Sequence, residues 1–300
     1  MSSTKLSIVI PVRDQPLPLS LTLHWLAKVL PPDSEVIVVD DGSLVSVASL
    51  VRRYADRLAI DVIVQERRGR AAARNAGWKA ASGDRVLYND ADRLPAMSDL
   101  TPHKTGEGIV IGCLMEFYLS KLETVAEALC NDFSQLQPRA REPLYAKMMR
   151  THLFNQQGGA RTNIPWAAFI TANVSVPRAA LVETGGFDEA FRTWGTEHFE
   201  LGYRLWQHGV PFHYSTAAVN YHIAHSREPG FYQTQITSSL EYFRNKHKDV
   251  VLDVFADFFF GQASLQAVEM AASVPGPWVV EYPTPVMFYA LQLSQSHTDV

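Results

Sequence analysis

The sequence predicts an α/β protein with a mostly parallel sheet that carries helices on both faces. Over the first hundred residues, short apolar runs rich in β-branched residues alternate with segments of helical periodicity. Such alternation is typical of β-α-β units, whose strands run parallel. Polar clusters follow three of these runs at the sheet edge where ligands bind, namely Arg13-Asp14, Asp40-Asp41 and Asp90-Ala91-Asp92.

Each element in the first 97 residues has a local justification. The strand runs are short, apolar and bounded by Pro, Gly or charged residues, and they cover residues 6–12, 35–39, 59–65 and 85–88. A helix follows Pro16 and ends before Pro31, because proline is tolerated in a first helical turn and not in a helix interior. Further helices are predicted at 45–58 and 69–81.

The pattern is weaker from residue 98 onwards. Helical structure is predicted at 121–150, with a break near Pro138 and Pro143, and a loop is predicted at 155–163. The other predicted elements are strands at 108–118, 167–176, 212–214 and 217–222, helices at 178–184 and 196–208, and helices without motifs after residue 230.

Composition excludes several classes of protein. A net charge of −4 and a pI near 6.2 give no electrostatic footprint for nucleic acid, so no nucleic-acid partner is expected. Cys113 and Cys130 lack metal-type spacing and fit a reduced, cytoplasmic compartment. Charged residues and prolines interrupt the apolar stretches at 254–260 and 279–293. We therefore expect no spanning segment, and leave open a peripheral contact with the inner face of the membrane.

Asp90 and Asp92 form the strongest local signal. Residues i and i+2 of an extended segment point the same way, so both carboxylates face one spot at the end of a strand. Hard cations such as Mg²⁺ or Mn²⁺ prefer oxygen ligands and often bridge a carboxylate to phosphate oxygens. A metal site that holds a nucleotide diphosphate is the resulting hypothesis; a solvated loop is the alternative.

Six motifs in order resemble family-2 glycosyltransferases of the GT-A fold over residues 6–228. They are Ile8-Val9-Ile10-Pro11, Val38-Val39-Asp40-Asp41-Gly42-Ser43, Arg74-Asn75-Ala76-Gly77, Asp90-Ala91-Asp92, Gly185-Gly186-Phe187-Asp188 and Trp194-Gly195-Thr196-Glu197-His198-Phe199-Glu200-Leu201. The last block is similar to the Trp-Gly-Gly-Glu-Asp segment of chondroitin polymerases and β-1,4-galactosyltransferases. The resemblance implies a GT-A domain at 1–230, with a nucleotide-binding half (1–97) and an acceptor and metal half (98–230), before a helical C-terminal extension at 231–300.

The resemblance also implies a UDP-sugar donor and the residues that bind it. By their match to the family, the expected donor-binding residues are Pro11, Arg13, Asp40, Asp41, Arg70, Arg74, Asp90 and Asn173. Guanidinium groups suit diphosphate oxygens because their fork of donors matches the oxygen geometry. Asp-Gly-Ser is also good turn chemistry, so a turn role for Asp40-Asp41 stays open.

Metal ligands are expected on both sides of the site. Asp92 is the expected direct ligand of Mn²⁺ or Mg²⁺, while Asp90 either shares the metal or holds the ribose. Chondroitin polymerases have Tyr-His where this chain has Tyr221-His222, and galactosyltransferases use a Met and a His that match His222 and His225. Imidazole is a reasonable Mn²⁺ ligand beside carboxylates.

The catalytic base is where the chain departs from the family pattern. Relatives with Glu-Asp use the Asp as base, and this chain has His198 at that position. Thr196 is a plausible N-cap, which places Glu197 and His198 in the first helical turn, where imidazolium is disfavoured. An inverting enzyme with His198 or Glu197 as base is favoured. A retaining enzyme of the N-acetylgalactosaminyltransferase type remains the alternative.

Trp194, Trp166 and Glu197 are the expected acceptor contacts, because tryptophan faces commonly stack on sugar rings. The acceptor stays open among saccharides, natural products and proteins, and the donor sugar among Gal, GalNAc, GlcNAc, Glc and GlcA.

A sugar-phosphate nucleotidylyltransferase would carry a Gly-rich loop after the first strand, where this chain has Pro11-Val12-Arg13-Asp14-Gln15-Pro16. A further alternative is that the chain is a degenerate, non-catalytic relative that binds sugar, and the absence of an Asp at position 198 is the sole support for that alternative.

Overall fold

A computed structural model describes residues 4–272 of the 300-residue chain, except 97, 120, 135, 193 and 225–230. The strands are β1 (Leu6–Val12), β2 (Ser34–Asp41), β3 (Ile60–Gln65), β4 (Arg85–Asn89), β5 (Arg93–Leu94), β6 (Ile109–Tyr118), β7 (Asn173–Pro177) and β8 (Phe212–Ala224). The helices are α1 (Pro16–Val29), α2 (Ala48–Arg52), α3 (Arg70–Ala80), α4 (Thr101–Thr105), α5 (Leu122–Asn131), α6 (Leu144–Leu153), α7 (Arg178–Thr184), α8 (Glu197–Gln207), α9 (Phe231–His247), α10 (Val250–Phe259) and α11 (Leu265–Ala271).

All eight strands belong to one sheet, in the order β3-β2-β1-β4-β7-β6-β8-β5. The first four run parallel. Strand β7 is antiparallel to both β4 and β6, and β8 runs parallel to β6. The predicted doubly wound, mostly parallel sheet is therefore confirmed for the N-terminal half, and the reversal at β7 marks the start of the second half.

Burial on both faces explains the continuous apolar strands. Ile8 of β1 packs in the cluster that contains the leucines of α1, whereas its neighbour Val9 packs with Trp78 of α3 on the opposite face. Side chains alternate between the two faces of a strand, so a strand covered on both sides must be apolar at every position. This packing holds the carboxyl ends of β1, β2 and β4 at one edge.

Four predicted elements differ from the structure. The second helix is confined to α2, because the chain after Arg53 continues in turns with i→i−3 hydrogen bonds. The strand expected at 167–176 begins only at Asn173 and follows a short 3-10 helix at Pro165–Ala168. The two strands expected at 212–222 are one strand, β8, whose pairing with β6 shifts register between Gly112 and Cys113.

The C-terminal helices α9 to α11 pack into the main core. Phe243 of α9 and Phe255 of α10 contact Trp166, and Phe255 also contacts Phe199 of α8. These helices therefore buttress α8 directly. None of the described helices combines the length and the apolarity that a bilayer crossing requires.

Candidate active site

A cleft of about 800 Å³ opens at the carboxyl ends of β1, β2 and β4. Its N-terminal wall carries Pro11, Arg13, Asp41, Arg67, Arg70 and Arg74, and its floor carries Asp90, Asp92, Arg93 and Glu116. The opposite wall carries Trp194, Glu197, His198 and His222. The structure thus brings most of the sequence-predicted site residues to one cleft, although they span more than 200 positions of the chain.

Arg74 joins the two halves of this cleft. Its side chain is 2 % exposed, and its guanidinium donates to Asp90 Oδ1 at 3.0 Å and to Glu197 Oε1 at 3.1 Å. Burial would lower the pKa of Arg74, but the two carboxylates hold that pKa above its ordinary value. A permanently charged arginine therefore ties the Asp90 turn to the first residue of α8.

Asp41 organises the loop that precedes α3. Its carboxylate accepts hydrogen bonds from the backbone N–H groups of Arg68 and Gly69, at 2.8 and 2.9 Å, and from Gln65 Nε2 at 2.7 Å. Gly69 has φ +94°, and a Cβ there would lie 2.9 Å from the Arg192 carbonyl oxygen. Glycine is thus required where the loop passes Arg192, and Asp41 faces the cleft while it supports that loop.

Asp40 does not line the cleft. Its carboxylate accepts from the backbone N–H groups of Ser43 and Val47, at 3.0 and 3.1 Å. The structure therefore gives Asp40 the turn role that was left open, and contradicts the expectation of a donor contact.

Asp92 lies between the N-terminal wall and strand β8. Its Oδ2 atom accepts from Gln15 Nε2 at 3.0 Å and lies 3.6 Å from His222 Nε2. Burial alone would raise the pKa of Asp92, yet its hydrogen bonds with His222 and Gln15 hold that pKa below its usual range. Asp92 is thus ionised at neutral pH, as a cation ligand must be.

The Asp92–His222 pair fits a divalent cation. Bonds of about 2.1 Å to each atom could reach one ion across the 3.6 Å separation. Within the described ranges, no group of three or more His, Cys, Asp or Glu side chains could hold an ion, so further ligands would have to come from a bound molecule. The other expected ligand, His225, lies outside the described residues.

Two residues beside this pair were missed by sequence reasoning. Gln15 follows the recognised Arg13-Asp14 cluster and reaches Asp92 from the β1–α1 loop. Glu116 of β6 lies in register with His222 of β8, with its Oε2 atom 3.9 Å from His222 Nδ1. A carboxylate within an otherwise apolar strand could have marked Glu116 as a candidate site residue. Its partner, His222, could not be predicted in the same way, because the pairing depends on the register of β6 with β8.

Glu197 and His198 begin helix α8, close to the expected boundary. Glu197 is 1 % exposed; one of its oxygens accepts from Arg74 and the other from the backbone N–H of Gly195 at 3.1 Å. Thr196 occupies the N-cap position, but its hydroxyl contacts Ser239 and makes no cap hydrogen bond. Both Glu197 oxygens are thus committed to the protein.

His198 differs from its neighbour in burial and contacts. It is partly exposed to the cleft, packs against the Phe199 ring at an interplanar angle of 55°, and makes no hydrogen bond within the described part of the chain. Burial lowers the pKa of His198 to about 4, and the positive charges of Arg74 and Arg70 add to that shift, while Glu197 opposes it. The ring is therefore neutral near pH 7, with at least one nitrogen able to accept a proton.

The two tryptophans that were expected to contact the acceptor differ in position. Trp166 is fully buried among Tyr203, Phe243 and Phe255, so the expectation of an acceptor contact is contradicted: no ring face is open to a sugar. Trp194, in contrast, lines the cleft and is partly exposed.

Asn173 is also structural rather than a wall of the donor site. Its amide nitrogen donates to the carbonyls of Cys113 and Ala218, and its oxygen lies 3.0 Å from His103 Nε2. These bonds join β7, β6 and β8 at the register shift, and the neighbouring Thr171 and Ala172 line the cleft in its place. The expected donor contact of Asn173 is therefore contradicted.

The arginines around the start of α3 differ in their contacts. Arg68 pairs with Glu189 at 2.7 Å, while Arg70 faces the cleft 3.9 Å from Glu197. Arg67 also lines the cleft. In α8, Glu200 and Arg204 form an i,i+4 ion pair at 2.7 Å.

Family models match two parts of the chain. A family model described as Glycosyl transferase family 2 matches residues 7–105, and one described as the N-terminal domain of galactosyltransferase matches residues 151–226. The validoxylamine A glucosyltransferase of Streptomyces hygroscopicus subsp. limoneus is 32% identical over 264 residues, covering 83% of this chain. The match spans 58% of that relative's length.

Solved structures share the fold. Residues 1–349 of TarS from S. aureus, in complex with UDP-GlcNAc, match with a TM-score of 0.61 at 17% identity, over 86% of this chain and 73% of that one. The mannosyltransferase PcManGT from Pyrobaculum calidifontis, in complex with GDP-Man and Mn2+, matches with a TM-score of 0.59 at 18% identity, over 91% of this chain and 74% of that one.

Proposed function

Because the chain belongs to glycosyltransferase family 2 and has the fold expected of it, we propose that it moves a sugar from a UDP-sugar to an acceptor hydroxyl with the help of a divalent metal ion. The observation that carries this proposal is the meeting of Asp92, His222 and Arg70 with His198 in one cleft. Sugar transfer needs metal ligands, a positively charged group that binds the diphosphate, and a neutral base.

The donor diphosphate binds along the N-terminal wall. Arg13, Arg67 and Arg70 present guanidinium groups to the cleft, where charge-assisted, bidentate bonds to phosphate oxygens are available. The complex of TarS with UDP-GlcNAc, on a shared fold, supports a UDP-sugar donor.

Asp92 and His222 hold the metal, which we take to be Mn²⁺ or Mg²⁺. Asp90 is bound to Arg74, which leaves Asp92 as the direct carboxylate ligand and Asp90 as a neighbour of the ribose. The bound ion supplies positive charge to the leaving diphosphate. The Mn2+ in the PcManGT complex supports a metal of this kind.

His198 serves as the base. As the acceptor oxygen attacks the anomeric carbon, its proton passes to a ring nitrogen of His198, and the bond electrons leave with UDP. Glu197 is less suited, because Arg74 and the Gly195 N–H already occupy its oxygens. Direct attack from the side opposite UDP inverts the anomeric centre.

A donor panel tests the proposal. UDP-linked Gal, GalNAc, GlcNAc, Glc and GlcA are compared by thermal shift and by UDP release, with Mn²⁺ or with EDTA. We expect one donor to raise the melting temperature and to release UDP only with metal, because a ligand of the folded state stabilises it. UDP release that is equal in EDTA would contradict metal dependence, and pyrophosphate release from UTP would point to a nucleotidylyltransferase.

The anomeric configuration of the product, read by NMR, tests the base separately. Inversion is expected. Retention would remove the base role from His198 and leave the metal site in place.

A further inference from the structure

We propose that Glu116 is a positioning residue that turns the His222 ring so that its Nε2 atom is available to the metal. The inference rests on the proposed function, because the pair it concerns is the metal-holding pair Asp92–His222.

Strand pairing sets Glu116 beside the ring. Glu116 of β6 is in register with His222 of β8, and Arg93 of β5 lies opposite His222 on its other side. Residues paired across neighbouring strands point to the same face of the sheet. All three side chains line the cleft. The neighbours of His222 are thus fixed by regular strands rather than by a loop.

The two ring nitrogens face two different carboxylates. Nε2 lies 3.6 Å from Asp92 Oδ2, while Nδ1 lies 3.9 Å from Glu116 Oε2. A neutral imidazole carries one proton, and a carboxylate attracts it to the nitrogen that it faces. Asp92 attracts the proton to Nε2 and Glu116 attracts it to Nδ1, so the two carboxylates compete for it. A cation held between Asp92 and Nε2 would require the Nδ1–H tautomer, and Glu116 stabilises that tautomer. Replacing a carboxylate that orients a metal-binding histidine in this way commonly weakens metal binding.

Two other roles for Glu116 fit the structure less well. It does not complete a three-ligand cluster with Asp92 and His222 among the described residues, so it acts through the ring rather than on the ion. It forms no ion pair with Arg93, whose Nε and Nη1 atoms are buried without a hydrogen-bond partner in the described part of the chain. The carboxylate thus remains available to the His222 ring.

Mn²⁺ titration of Glu116→Gln tests the inference. The full chain is saturated with UDP and titrated with Mn²⁺, with binding followed by electron paramagnetic resonance. The variant keeps the side-chain size and the main-chain bonds between Glu116 and Arg141, and removes the charge that orients the ring. We expect Mn²⁺ affinity to fall about 10- to 100-fold. Glu107→Gln is the matched control, because Glu107 is exposed, precedes the same strand and does not line the cleft.

A second readout needs neither metal nor turnover. With ¹⁵N-labelled histidine at alkaline pH, the His222 signals report how the two neutral tautomers are populated in the metal-free protein. Glu116→Gln should shift that population toward Nε2–H, because Asp92 then faces no competing carboxylate. Glu107→Gln should leave it unchanged.

The outcomes separate the inference from the function on which it rests. Wild-type Mn²⁺ affinity together with a wild-type tautomer population in Glu116→Gln would overturn the role of Glu116 alone. If the wild-type protein with UDP binds no Mn²⁺, the proposed function fails and the inference fails with it.

Discussion

Replacing Arg74 with methionine should destabilise the whole fold, because Arg74 neutralises two carboxylates at the centre of the cleft. Its guanidinium lies 3.0 Å from Asp90 and 3.1 Å from Glu197. Asp90 is partly exposed and can regain water after the change, whereas Glu197 is buried and cannot.

The expected loss follows from that burial. Breaking a buried ion pair by removing one partner costs about 3–5 kcal/mol, since the other charge stays buried and uncompensated. Arg70, 3.9 Å from Glu197, and the Gly195 N–H offset part of that cost. We therefore expect Arg74→Met to lower the free energy of unfolding by about 3 kcal/mol, the low end of that range.

Urea denaturation of a double-mutant cycle provides the assay. Arg74→Met, Glu197→Gln and the double variant are compared, with Arg67→Met as the control, since Arg67 is exposed and should change stability by less than about 0.5 kcal/mol. The double variant should be more stable than the sum of the single losses implies, by about 1–3 kcal/mol. Additive losses would refute the reasoning that Arg74 stabilises the fold through Glu197.

Three further predictions follow from single contacts. Burial holds the pKa of His103 at about 4 in the folded protein, whereas the pKa of a histidine in an unfolded chain is about 6.5. Between these two pKa values only the unfolded chain takes up the proton, so the free energy of unfolding should fall by about 3 kcal/mol from pH 7 to pH 4. His103→Gln should remove that component from the pH dependence measured by urea titration, and an unchanged slope would contradict it. Asn173→Ala should lower the free energy of unfolding, measured by the same method, by about 2–3 kcal/mol, because its hydrogen bonds are lost. Its affinity for UDP, measured by calorimetry, should not change; a weaker UDP affinity at unchanged stability would support the donor contact instead. Asp92→Asn should weaken Mn²⁺ binding with UDP by at least about 100-fold, beyond the range expected for Glu116→Gln, because it removes a direct ligand; wild-type affinity would exclude Asp92 as a ligand.

Local patterns predicted the N-terminal half well. The periodicity and punctuation of residues 6–89 are properties of short segments, and strand runs followed by polar clusters indicated which residues meet at the sheet edge. The second helix was the exception. Asp40 accepts a hydrogen bond from the Val47 N–H, and the chain after Arg53 forms turns. The spacing of leucine and valine residues that predicted the helix reveals neither feature.

Long-range packing decided the remaining assignments. Trp166 and Trp194 are alike as residue types, yet the helices after residue 230 cover one and leave the other at the cleft. Asn173 stood in a family-like segment, but the register shift of β6 against β8 uses its amide. Glu116 carried no motif, because its partner lies on another strand.

The most direct test of the central claim is single-turnover transfer by His198→Gln and Glu197→Gln, measured with Mn²⁺ and the donor identified by the panel. His198→Gln should bind UDP and Mn²⁺ as tightly as the wild type and transfer sugar at least about 100-fold more slowly, because it lacks the proton acceptor. Transfer by His198→Gln at close to the wild-type rate would contradict the account.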